Sequence, residues 1–158
     1  MAKYFSFFSK NIRPLSQNSR TSTLVTNLGN ALIAQYNTYP LKVSKFSLPR
    51  TPTNWLTGDL SVKLFYIHKS LDRYDADNIS KPLWDALNKK VYKDDFQNKY
   101  LETLKIDTRT IGSCEFDITN MDLEDLDILQ DFLFNSGNID DKLLYIEVSD
   151  FNMKKIRF

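Results

Sequence analysis

The 158 residues, 42% hydrophobic and 13% aromatic, suffice for one domain with a sizeable core, and a single cysteine, Cys114, excludes an internal disulfide or a cysteine-built zinc site. The net charge of +1 hides a division: residues 1–74 carry ten Lys/Arg against two acids, Asp59 and Asp72, while residues 75–158 carry eleven against eighteen. No window approaches the roughly 18 apolar residues of a membrane span and the start lacks a signal-peptide core, so a soluble, cytoplasmic protein is expected; its basic half suggests phosphate contact, and a scattered solvated surface fits it equally well.

In chain order, AKYFSFFS is aromatic and alternating, as an opening strand would be, and NIRPLSQNSR reads as a basic loop. In TSTLVTNLGNALIAQYN the apolar residues Leu24, Val25, Leu28, Leu32, Ile33 and Tyr36 recur at three- and four-residue intervals, which predicts a helix with one buried face. LKVSKFSL alternates and is a candidate short strand before a proline-bearing stretch. DLSVKLFYIH is the clearest strand, with Leu60, Val62, Leu64 and Tyr66 on one face.

That strand runs into DADNISKPLWDALNKKVYKDDFQ, residues 75–97. In extended chain Asp75 and Asp77 project to one side, and Asp77 or Asn78 can cap a helix reaching about Asn88, with Pro82 in its first turn. Lys81 lies one helical turn beyond Asp77. VYKDDFQ reads as a turn into another strand. If the helix folds back on the preceding strand, Asp94 or Asp95 comes to the mouth where Asp75 and Asp77 sit. Gathered carboxylates repel one another, and Lys81 and a divalent cation are the two candidates for the compensating charge. Mg2+ takes hard oxygen ligands of this kind together with waters and a substrate phosphate, and Mn2+ is an alternative. By spacing alone, a D-x-D beside a helix start is more often a capped helix with solvated acids than a metal site.

The whole string resembles the signature of RusA-type Holliday junction endonucleases, D-x-D-N-x-x-K followed by a D-A-L helix and D-D-x-Q. Asp75, Asp77, Asn78, Lys81, Asp85, Ala86, Leu87, Asp94, Asp95 and Gln97 carry the match, and Arg73 stands where these enzymes tend to be basic. The resemblance implies a small α/β (α+β) fold in which a mixed sheet packs with about three helices. It also implies a homodimer, dependence on Mg2+ and paired nicking of four-way DNA junctions in recombination and repair. Its catalytic set falls on Asp75, Asp77, Asp95 and Lys81, and its metal ligands on Asp75, Asp77 and Asp95, with Asp94 beside them. In that mechanism Lys81 stabilises extra negative charge or orients the attacking water.

After LETLKIDTRT, which suits a strand, the acidic stretch around residues 119–141 is an apparent helical addition to the single domain. Leu126, Leu129 and Leu133, with Ile128 and Phe132, form its apolar stripe, and its acids should face away from DNA. KLLYIEVSD reads as a closing strand and NMKKIRF as a basic tail. Lys10, Arg13, Arg20, Arg50, Lys69 and Arg73 are candidate phosphate contacts. His68 is a candidate general base but more naturally a structural or surface residue, and of Trp55, Trp84, Tyr4, Phe5, Phe7 and Phe8 most belong more naturally to core or dimer packing than to base stacking. Two other classes of function fit the composition: a non-catalytic DNA-binding module, and an interaction protein of a mobile element that uses the acidic helix.

Overall fold

The computed structural model describes residues 3–38, 53, 55–109, 115–119, 121–135 and 137–152. The candidate strand LKVSKFSL, Arg50, Cys114 and the tail from residue 153 lie outside them. Among the described residues four strands and three α-helices make an α+β fold: β1 (Lys3–Lys10), α1 (Ser22–Tyr36), β2 (Leu60–His68), α2 (Ala76–Leu87), β3 (Asn98–Asp107), α3 (Leu123–Phe134) and β4 (Lys142–Asp150). The sheet is mixed, in the order β1-β4-β2-β3; β2 and β3 are parallel, and β4 is antiparallel to both its neighbours. A parallel pair needs a long crossover, and α2 supplies it.

Alternation along the strands builds two cores. Leu60, Val62, Leu64 and Tyr66 of β2 share one face with Phe5 and Phe7 of β1 and with Leu144, Ile146 and Val148 of β4. Leu28, Leu32 and Tyr36 of α1 and Ile79, Leu83, Trp84 and Leu87 of α2 cover that face. The opposite face presents Phe8, Ile67, Ile106, Leu143 and Tyr145 to Leu129 and Phe132 of α3. The acidic helix therefore lies across the sheet from α2. Of the stripe expected from the sequence, Leu129 and Phe132 are buried and Ile128 and Leu133 pack partly buried against them, Leu126 stays outside this cluster, and Asp125 is buried as well. Phe5, Phe7, Phe8 and Trp84 are core residues.

Local features fix the start of α1 and its approach to α2. Thr21 caps α1 by accepting from the Leu24 amide at 3.2 Å. Gly29 of α1 lies against the carbonyl oxygen of Ala86, which a Cβ at that position would approach to 2.3 Å. Only glycine lets the two helices come this close.

Candidate active site

The helix carrying the motif starts earlier than the sequence suggests. Asp75, rather than Asp77 or Asn78, is the N-cap of α2, with extended backbone at φ −78° and ψ 157°. Asp75 and Asp77 therefore do not project to one side of an extended chain, because Asp77 already sits in the first helical turn. Pro82 is not in that turn either; it lies inside the helix, buried among Ile79, Leu83 and Trp84. Proline lacks the N–H that would bond the carbonyl four residues back, and packing against the sheet offsets that local cost.

The carboxylates differ in their partners. Asp75 makes no capping hydrogen bond, although its backbone has the capping conformation. Asp77 accepts from the Asn78 amide at 2.9 Å. Both are exposed, and neither has a cationic partner among the described residues. Asp94 and Asp95 come from the turn ahead of β3. Asp94 caps the short 3-10 helix Asp95–Gln97 by accepting from the Phe96 amide at 3.3 Å. The last residue of the motif, Gln97, ties this turn down: its Oε1 accepts from the Lys93 and Asp94 amides at 3.0 Å each, and its Nε2 donates to the Leu56 and Gly58 carbonyls at 3.0 Å.

Lys81 connects the two halves. Its Nζ donates to Asp85 Oδ1 at 2.8 Å, one turn along α2, and to Asp95 Oδ2 at 2.7 Å, across the gap to the turn. Hydrogen bonds to Asp85 and then Asp95 raise the Lys81 ammonium above the ordinary lysine range. In return Lys81, and after it Asp94, hold the Asp95 carboxyl below the ordinary carboxylate range. Asp85 also receives the Arg20 guanidinium. The sequence match included Asp85 without giving it a role, and its spacing of four from Lys81 was the available signal.

Of the other candidate residues, Arg13 and Arg20 lie at this site, the former bonded to Asp72 at 3.0 Å. Lys10 pairs with Asp140 at 3.5 Å and Lys69 lies 4.3 Å from the centroid of the Phe132 ring, both on the α3 side. Arg73 is exposed. His68 is 1% exposed, and its Nδ1 donates to the Ser70 carbonyl at 2.7 Å, a structural placement.

With this geometry in place, the family comparison is decisive: the family described as Endodeoxyribonuclease RusA matches residues 26–119, more than half of the chain. The chain belongs to the RusA endodeoxyribonuclease family. The match takes in most of α1, all of β2, α2 and β3, and every motif residue, while β1, α3 and β4 lie outside it. Among curated proteins, none matches the sequence. Membership in the RusA family makes the chain a nuclease by kind. No helix of the described residues is long and apolar enough to cross a membrane.

Among the described residues no three His, Cys, Asp or Glu side chains stand together as a preformed metal-holding group. The donors themselves fit a hard divalent cation. Asp75 and Asp77 offer exposed carboxylate oxygens that no cation among the described residues engages, and Asp95 is held ionised by Lys81.

Proposed function

We propose that this RusA-family chain is a Mg2+-dependent endonuclease that resolves four-way DNA junctions by paired nicks, acting as a homodimer in recombination and repair. The observation that carries the reading is the 2.7 Å contact of Lys81 with Asp95, which links the D-x-D-N-x-x-K segment to the D-D-x-Q segment across the crossover. Asp75, Asp77 and Asp95 would hold the metal, with Asp94 adjoining them. Bound Mg2+ supplies Lewis acidity toward the phosphate and lowers the pKa of a water to be used as nucleophile.

The chain's own residues supply the rest. Lys81 brings a positive charge to the place where negative charge grows on the phosphate, and Asp85 keeps its ammonium aimed along the helix face. Arg20 neutralises Asp85, so the lysine is shared between Asp85 and Asp95 rather than locked to either. Arg13 and Arg73 flank the α2 start as phosphate contacts, and α3 keeps its acids on the other side of the sheet. β3 is an edge strand with Tyr100, Leu101 and Leu104 exposed at 41%, 54% and 46%, apolar surface that a second copy would cover.

The test is a cleavage gel on a synthetic four-way junction with and without Mg2+. The parent chain should cut only with metal, and Asp77→Asn and Asp95→Asn should lose cleavage while keeping or improving junction binding, since each removes a charge that repels phosphate. Full turnover by Asp95→Asn would sink the assignment.

A further inference from the structure

A second charged cluster is buried beside the site, and its carboxylate, Asp72, and its lysine, Lys105, have no use in the chemistry above. The Asp72 side chain is 1% exposed. It accepts from Arg13 Nε at 3.0 Å, from the Tyr66 hydroxyl at 2.9 Å and from the Tyr74 amide at 2.9 Å. Lys105 reaches in from the edge strand β3, its side chain 18% exposed, and stands 3.8 Å from the carboxylate. Its shorter contacts are to backbone: Nζ donates to the Asp72 carbonyl at 2.6 Å and to the Tyr74 carbonyl at 2.5 Å. The Tyr74 carbonyl is half of the peptide group that joins Tyr74 to Asp75. The Arg13 guanidinium closes the loop from outside, 4.2 Å from the centroid of the Tyr74 ring.

We propose that Lys105, oriented by Asp72, is a positioning residue for Asp75: it fixes the Tyr74–Asp75 peptide and so presents the first carboxylate of the site in one orientation. The inference rests on the reading of Asp75 as a metal ligand. Burying a lysine costs desolvation and rotamer freedom. Neutralising Asp72 does not account for that cost, because Arg13 bonds the same carboxylate at closer range. What Lys105 alone adds is the hold on two consecutive segments of backbone. Asp75 needs that hold, since its own side chain makes no capping bond to anchor it.

The test uses Lys105→Met, which keeps the apolar stem and removes the donors, and it reads Mn2+ binding by calorimetry without DNA. Charge and positioning predict opposite signs. Removing a cation beside carboxylates should by charge alone tighten Mn2+ binding, whereas releasing Asp75 should weaken it. We expect binding about tenfold weaker, the scale on which residues that orient metal ligands act, with the far-UV circular dichroism retained. Lys105→Arg, which keeps donors, should stay near the parent. Unchanged or tighter binding by folded Lys105→Met overturns the proposal. Should that variant fail to fold, Tyr66→Phe carries the test, because it takes one neutral donor from Asp72 and alters no charge: weaker binding supports the hub and unchanged binding overturns it. A parent chain that binds no Mn2+ removes the functional reading itself, and this inference with it, so the two failures are told apart by the parent's own titration.

Discussion

Lys81 holds two carboxylates at once, and the two contacts have different origins. The bond to Asp85 follows from a spacing of four on a helix, visible in the sequence, whereas the bond to Asp95 spans 14 positions and exists only because α2 returns the chain to the turn before β3. Stabilising charge on one reacting phosphate is local, while DNA affinity is spread over many contacts. Lys81→Ala should therefore cut cleavage about a hundredfold or more and leave junction affinity close to the parent's in a filter-binding assay; equal losses would reduce Lys81 to an ordinary DNA contact. Lys105 and Asp72 were illegible by comparison, because nothing local marks a lysine of β3 as the partner of a loop some 30 residues earlier. Asp72 also gives the molecule an acid signature. Burial alone would raise its carboxyl, but the Tyr74 amide, Arg13 and Tyr66 outweigh burial and bring it from 3.8 to about 2. A carboxyl lowered on folding stabilises the fold above its unfolded pKa, and that contribution is lost as pH falls through the folded one. Urea unfolding at neutral pH and near pH 2 should show the parent losing about 2 kcal/mol more than Asp72→Asn over that span. Parallel losses would contradict the assigned network.

At the scale of elements, the strands were readable because their alternation is strict: each of the four apolar residues assigned to one face of β2 lies in the same core. The start of α2 was not, because a D-x-D pair supports extended chain and helix start equally, and the choice depends on what holds the preceding loop. Pro82 misled for a related reason, since its usual place is a prior that packing among buried neighbours overrides. Gly29 carries no signal of its own within the periodic sequence of α1. Its role lies in the contact with α2, so Gly29→Ala should lower the melting temperature, with a loss of about 1–3 kcal/mol from overpacking. Helix propensity alone predicts the opposite sign. A higher melting temperature in Gly29→Ala would show that α1 and α2 are free to separate.

In the whole molecule the two faces of the sheet carry different helical layers. One face of the sheet carries α1 and α2 with the site, the other carries α3 with its acids, and Lys10 and Lys69 are drawn to that second layer. The sequence exposed the polarity of the two halves but not the insertion of β4 between β1 and β2, a pairing across the full length of the chain with no local signal. It is also at this scale that the proposed function is most exposed to test. A junction has approximate two-fold symmetry, and clean resolution needs cuts on two strands, which a symmetric dimer can make within one bound complex. The most direct measurement is the digestion of a supercoiled plasmid bearing an extruded cruciform, with Mg2+ and with limiting protein. Linear product from the earliest times, lost in Asp95→Asn, is the result expected of paired nicks by the site built around Lys81. Intact plasmid, or nicked circles that accumulate without linear product, would contradict it.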